Sequence, residues 1–453
     1  MKISKLILTF SAVLLLLGVI VLVFPKGGLK IGMLELRFPT FEELFLTEKV
    51  QYSDIDVLFD EDTSKQNLDK DDKQVKIKED NLVKIELPQD NLHYLDKLFA
   101  SLDSISINND KVRIIHYGDS QIEGDRITSY LRLRLQNQFG GKGQGEIPLH
   151  SLSNIKNVSF EYSDNWNFYS IIDLEKHDFH RYGLMQAATI PEDENSFVKL
   201  NFAKAISGDI TLYYGNHSEN TQIGFVANKD TLASYSLDNE VLLSKQSCHI
   251  TKPTKSLTIS VKGRPELYSL DFSNGGGVYF DNVSLRGSSG YGFNKNNVDF
   301  LCRMSNMLNV KLIILQFGVN AVPQDEQTIV SSYQFYKTNL KRQVDFIKRT
   351  NPQAAIIIVG ISDRSRKKGD NYETNPNIPK ILAVQKQVAQ ECGVAFWNLF
   401  EAMGGNNSMP SWVLRDKPLA NKDFTHFNDA GAKYVGEMFY KALENAYKDY
   451  KTR

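Results

Sequence analysis

Four places in the chain carry residues of catalytic type. Gly118-Asp119-Ser120 offers a hydroxyl, Gly287 a backbone N–H, Gly318-Val319-Asn320 a side-chain amide, and Asp423-Phe424-Thr425-His426 an acid and a base. A serine hydroxyl is a weak nucleophile until a base takes its proton, and an imidazole is suited to that task. Asp423, three residues before His426, would hold the ring in the correct tautomer. The N–H groups of Ser120 and Gly287 and the Asn320 amide would give three oxyanion donors, and losing one such donor costs on the order of 10²–10³ in rate. The chemistry this set supports is acyl transfer through a covalent serine intermediate. Taken alone, Asp-Ser before a helix reads better as a helix cap than as a nucleophile; the later loops reverse the balance.

These residues need elements that bring them together. A β-branched run at 112–117 leads into Gly118 and a helical pattern at 127–139. Residues 278–285 read as a strand before Arg286-Gly287, followed by a helix at 297–308. The apolar run 310–317 has the composition of a strand buried on both faces and ends at Gly318. A helix at 327–349, a strand at 354–359, a polar loop at 362–377, a helix at 378–391, a strand at 394–398, a loop at 402–422 and a helix at 429–447 complete the series. Alternating strands and helices predict an α/β fold with a doubly wound, mostly parallel sheet in three layers. Loops at the carboxyl ends of such strands converge on one edge.

Between the two α/β stretches the pattern changes. Short β-branched and aromatic segments at 157–162, 166–172, 196–204, 209–215, 222–227, 231–236, 247–250 and 256–262 are separated by polar turns. They predict an inserted β-sandwich or jelly roll. At the other end, Lys2 and Lys5 precede an uncharged run at 6–25, about the length of a bilayer core. A cleaved signal peptide and an uncleaved anchor both fit this run; without a small-x-small cleavage site the anchor is favoured, with the lysines inside. Residues 53–80 are dense in charge and read as a flexible tether. A helix is expected at 91–102. The expected organisation is therefore a membrane segment (1–26), a juxtamembrane and linker stretch (27–89), a first α/β part (90–150), the insertion (151–280) and a second α/β part (281–453).

With 42% hydrophobic residues, 26 Phe and 20 Tyr, the 453-residue chain has ample material for cores. A net charge of −1 offers no electrostatic footprint for nucleic acid. The three cysteines, Cys248, Cys302 and Cys392, are far apart, make no zinc pattern and read as small buried residues; no metal or cofactor is expected.

In this order and on these structural positions, Gly-Asp-Ser at 118–120, the glycine at 287, Gly-x-Asn at 318–320 and Asp-x-x-His at 423–426 resemble the SGNH or GDSL-type hydrolase family. The resemblance covers 112–145 and 278–447. It implies Ser120 as nucleophile, His426 as base, Asp423 as its orienting acid, and Ser120, Gly287 and Asn320 as the oxyanion hole, with Gly143 or Gly145 the alternative glycine. The chain departs from the commonest pattern at Gln121, where many members have Leu or His. More narrowly, it looks like exported bacterial members that remove or transfer O-acetyl groups on peptidoglycan or other envelope polysaccharides. That resemblance implies an acetylated glycan substrate, and the apolar N-terminal run agrees with it, predicting attachment to the bacterial inner membrane with the catalytic portion on the extracytoplasmic side. Esterase and O-acetyltransferase both remain open, since cleft shape decides whether water or a sugar hydroxyl attacks.

Other residues have competing readings. Gln121, Arg286 and Trp412 are possible substrate contacts; a structural ion pair competes for Arg286 and core packing for Trp412. His116, inside a buried strand, reads as a core histidine. His177 and His180 lack a metal-binding partner and read as surface residues. Asp119 and Asp125 suit local turn and cap hydrogen bonds.

Overall fold

The computed structural model describes residues 3–25, 28–31, 34–36, 50–59, 75–150, 153–176, 178–193, 195–323 and 329–453. Its first element, α1 (Ile3–Val23), is a Leu-, Val- and Ile-rich helix covered by none of the other described residues. Its 21 residues span about 31 Å at 1.5 Å per residue, enough to cross a bilayer core. A small hairpin, β1 (Leu29–Ile31) with β2 (Leu34–Leu36), follows. The apolar stretch from 37 and the central part of the charged tether, 60–74, lie outside the described residues.

The described ends of the expected tether are packed, which corrects the reading of 53–80 as a linker throughout. Ile55, Leu58, Phe59 and Val75 are buried in the core of the parallel-sheet portion, and the Phe59 ring lies 4.4 Å from that of Tyr434. Widely spaced apolar residues among charges are sufficient anchors, and a composition average hides them. Further on, Glu86 exchanges two backbone hydrogen bonds with Phe396, covering an otherwise open sheet edge. Helix α2 (Asp96–Asn108) begins later and runs further than expected, ending at Asn109 in the left-handed region.

Strand β3 (Lys111–Gly118) and helix α3 (Thr128–Phe139) precede the insertion. The inserted strands are β4 (Glu146–Pro148), β5 (Val158–Tyr162), β6 (Trp166–Ser170), β7 (Ala187–Pro191), β8 (Asn195–Asn216), β9 (Gln222–Ala227), β10 (Asp230–Ser236), β11 (Val241–Lys262) and β12 (Glu266–Asp271). They form one antiparallel nine-stranded ladder. Segments expected as separate strands at 196–204 and 209–215, and at 247–250 and 256–262, are continuous in β8 and β11. Gly208 and Pro253 interrupt the alternation that a sequence reading follows, and the register shifts between Ile250 and Thr254. The first half of β8 pairs with β5 and the second half of β11; the second half of β8 pairs with β12 and the first half of β11. Side chains from both halves, Leu200, Leu212, Leu257 and Leu267 among them, share one core. Although β4 precedes the expected boundary at 150, it pairs with β12 in this sheet.

After the insertion come β13 (Gly277–Ser284), α4 (Val298–Met307), β14 (Val310–Gln316), α5 (Ile329–Thr350) and β15 (Ala355–Val359). The hairpin β16 (Ser365–Lys368) and β17 (Asn371–Thr374) occupies the loop expected at 362–377. Then follow α6 (Ile378–Glu391), β18 (Ala395–Trp397), α7 (Leu399–Ala402), α8 (Ser408–Leu414) and α9 (Asp429–Lys451). The parallel sheet has the order β13-β3-β14-β15-β18. Alternate residues serve two cores. Val112, Ile114, Leu312, Ile314 and Ile357 face α2, α3 and α9. Ile115, Tyr117, Ile313, Leu315 and Ile358 face α4, α5 and α6.

The insertion shares the second core, where the Tyr268 ring lies 4.7 Å from that of Phe300. A buried ionic cluster also joins the two sheets. Arg113 of β3 binds Asp281 of β13 and Asp271 of β12, each at 2.8 Å. Glu146 of β4 accepts from Ser269 Oγ and donates its backbone N–H to Asp281 at 2.8 Å. Burial, with the neighbouring Asp281 carboxylate, pushes the Glu146 carboxyl up to about 8. Cys248 and Cys392 are buried, but Cys302 is half-buried and donates to the Arg349 carbonyl, correcting its assignment to the interior.

Candidate active site

The sheet register sets the site. Gly118 at the end of β3 aligns with Gln316 of β14 on one side and Ser284 of β13 on the other. The loops carrying Ser120, Gly287 and Asn320 therefore leave the sheet at one level. Gly118 has no room for a larger residue, since a Cβ there would lie 2.9 Å from the Gln316 carbonyl oxygen and from Ile122 Cδ1. The Asp119 side chain accepts from Gln121 N–H at 3.0 Å and caps a short 3₁₀ turn, Ser120–Asp125. Burial raises the Asp119 carboxyl to about 6, against the opposing pull of the Gln121 N–H and of His426.

Ser120 Oγ lies 2.8 Å from His426 Nε2, and His426 Nδ1 lies 2.7 Å from Asp423 Oδ2. The other Asp423 oxygen accepts the backbone N–H groups of Thr425 at 2.9 Å and His426 at 3.0 Å. Partial burial opposes the charge on Asp423, but the hydrogen bonds from His426 and Thr425 win and hold its carboxyl below the usual range. A hydroxyl, an imidazole and an ionised carboxylate thus form a continuous chain able to draw a proton from the serine.

Asn320 sits in a 3₁₀ turn (Val319–Ala321), and its Nδ2 donates to the Ser288 carbonyl at 3.1 Å. That bond ties the loop after β14 to the loop carrying Gly287. Gly287 has a φ of +76° and open space where a side chain would stand. Gly143 and Gly145 instead pack on Phe272 and Asp281, beside the buried Arg113. Arg113 is five residues from Gly118, roughly 17 Å along an extended strand, so the alternative glycines belong to the far end of the sheet.

Two residues read as possible substrate contacts have other partners. Gln121 is buried; its Nε2 donates to the Thr425 carbonyl at 2.7 Å and to Ser362 Oγ at 3.1 Å. Trp412 is fully buried beneath Phe59 and Phe427 and donates to the Met403 carbonyl at 2.9 Å. Arg286 is largely exposed and lies 3.6 Å from Glu123 Oε1, an ion pair between the loops that carry Ser120 and Gly287. Asp125 forms a two-pronged pair with Arg132 at 2.7 and 3.1 Å rather than a local cap. His116 is buried between Thr128 Oγ1 and Gln316 Oε1, each 3.0 Å away, and burial lowers it to about 4. At the surface of the insertion, His180 meets Asp178 at 2.9 Å; His177 lies outside the described residues.

Arg126 has no signal in the sequence that marks it. Its guanidinium donates to the carbonyls of Glu123 at 2.8 Å, Phe427 at 2.9 Å and Ser120 at 3.3 Å, strapping the serine turn to the histidine loop. Its hydrogen-bond partners are backbone carbonyls, two of them close in sequence and one 301 residues away, and its only side-chain partner among the described residues is the Glu123 carboxylate at 3.9 Å.

Residues 261–434 match the model of the GDSL-like lipase/acylhydrolase family. The match takes in Gly287, Asn320, Asp423 and His426, while the insertion separates Ser120 from it. A solved peptidoglycan O-acetylesterase is 21% identical, aligns over 79% of this chain and 96% of its own, and has a TM-score of 0.62, so the two share a fold. A family two carbohydrate esterase from Cellvibrio japonicus is 10% identical over 64% of this chain and 99% of its own, at a TM-score of 0.25. No curated protein matches the chain in sequence. Over residues 261–434, then, the chain is similar to the GDSL-like lipase/acylhydrolase family.

Proposed function

We propose that the protein is a serine esterase that removes O-acetyl groups from a cell-envelope polysaccharide such as peptidoglycan. The observation that carries this reading is the continuous Ser120–His426–Asp423 hydrogen-bond chain at the carboxyl edge of the parallel sheet. In this reading Ser120 Oγ attacks the acetyl carbonyl as His426 Nε2 takes its proton. The negative charge that develops on the carbonyl oxygen is received by the N–H groups of Ser120 and Gly287 and by the Asn320 amide. His426 returns the proton to the departing sugar oxygen, and the ester C–O bond breaks. Water then attacks the acetyl-serine with His426 again as base, releasing acetate and restoring Ser120. Asp423 keeps the ring oriented and stays ionised.

The solved neighbour named as a peptidoglycan O-acetylesterase supports the substrate class. Helix α1, uncharged after Lys5 and uncovered by the described residues, supports a membrane anchor that holds the catalytic part at the envelope on the extracytoplasmic side. Acetate release from isolated envelope polysaccharides tests the reading. Wild type is expected to release acetate and Ser120→Ala to release none above background. A trapped mass increase of one acetyl on Ser120 would identify the intermediate. Equal acetate release by both forms overturns the proposal. Adding a glycan acceptor and finding acetylated acceptor in place of free acetate would turn it into a transferase.

A further inference from the structure

We propose that Arg364 reads an anionic group on the substrate, and that the ester is carried by an acidic glycan with a carboxylate close to the acetylated position. This rests on the esterase reading above and adds the charge of the substrate to it.

The loop after β15 runs between the two halves of the site and is tied to both. Ser362 Oγ accepts from Gln121 Nε2 at 3.1 Å, next to Ser120. Ser365 N–H donates to the Phe424 carbonyl at 3.0 Å, inside the Asp423–His426 turn. The Tyr372 ring of the hairpin stacks on Phe424 at 3.6 Å and 9°. Arg364 stands between these anchors, and its Nη1 donates to the Val319 carbonyl at 3.4 Å, one residue before Asn320. Its guanidinium is thus fixed beside the oxyanion loop on one side while its backbone adjoins the histidine loop on the other.

Several neighbouring charges among the described residues already have partners. Asp363 turns inward, accepting from Met409 N–H at 2.7 Å and Thr374 Oγ1 at 2.8 Å. Glu373 is taken by Arg366 at 3.0 Å and Lys368 at 3.1 Å. Arg126 is spent on three carbonyls, and Arg286 pairs with Glu123. Arg364, half-buried, has no carboxylate of the described residues against it. A guanidinium carries five N–H donors in a planar fork, and one long bond to Val319 leaves most of them for a ligand. That fork matches a carboxylate in a two-pronged geometry that a lysine cannot reproduce.

The test uses the detergent-solubilised full chain and two probes, O-acetylated oligo-alginate, with a carboxylate on every sugar, and neutral O-acetylated cello-oligosaccharide. Wild type is expected to prefer the alginate, with the preference weakening as salt rises. In Arg364→Gln the ratio of kcat/KM for alginate over cello-oligosaccharide should fall roughly 10–100-fold, mainly through KM, as expected for losing a charge-assisted pair. Arg364→Lys should keep part of the preference, which guards against a variant that simply misfolds. An unmoved ratio in both variants, or a wild type without preference, overturns the role of Arg364 while leaving the esterase reading intact. No turnover of either probe by a wild type that does release acetate from isolated envelope polysaccharide overturns the acidic-glycan inference alone, and no release from any of the three overturns both.

Discussion

The side-chain amide of Gln121 donates to the carbonyl of Thr425 at 2.7 Å, so the residue after Ser120 holds the residue before His426. These positions are 304 residues apart in the chain and adjacent at the sheet edge. The link ties the Ser120 turn to the His426 turn without touching Ser120 Oγ or the His426 ring.

Gln121→Leu should therefore lower kcat on an activated acetyl ester by about 10-fold or more, with KM little changed. The buried Thr425 carbonyl loses its donor, at a cost of roughly 1–3 kcal/mol, and the loop relaxes. Steady-state kinetics on the purified variant check this. A change confined to KM would instead place Gln121 at the substrate.

Asp423→Asn removes the negative charge beside the imidazole and favours the wrong tautomer, so kcat should drop by about 10²–10⁴. Because its hydrogen bonds hold the Asp423 carboxyl below the usual range, it stays ionised in mildly acid solution and contributes stability that is lost only as pH falls through its lowered titration range. Thermal melting of wild type and variant should converge only at the acid end. Convergence near neutral pH would contradict the assignment.

Glu146 behaves in the opposite sense. Its carboxyl titrates near 8 in the folded protein against an ordinary value of 4.5. The folded state thus binds the proton more tightly, and this stabilising contribution is complete below about 4.5 and lost as pH rises towards 8. Wild type should lose stability relative to Glu146→Gln across that interval, measured as the difference of their melting curves. A difference that stays flat with pH would show that Glu146 is already ionised in the folded state.

Trp412→Ala should cost about 3–5 kcal/mol of stability, because a fully buried indole and its bond to the Met403 carbonyl are lost. Denaturant unfolding measures the loss. In the variant protein that remains folded at low temperature, KM should stay near the wild-type value. A raised KM with undiminished stability would return Trp412 to the substrate pocket.

Much of this was legible in the chain itself. The order of Ser120, Gly287, Asn320, Asp423 and His426, the alternation of strands and helices around them, the change to short strands in the middle and the apolar first helix all rest on local patterns. Side-chain periodicity and loop chemistry write such features into neighbouring residues. Tertiary structure decided what depends on partners far away. It sent Gly143 and Gly145 to the Arg113 end of the sheet, turned Gln121 toward Thr425, buried Trp412 under Phe59, and packed Ile55, Leu58 and Val75 out of a charged stretch. It also joined the strands broken by Gly208 and Pro253 and set Arg364 beside Val319. A residue's neighbours in sequence determine its element, but its contacts across the fold determine its role, because burial and hydrogen bonding are settled only when distant strands meet.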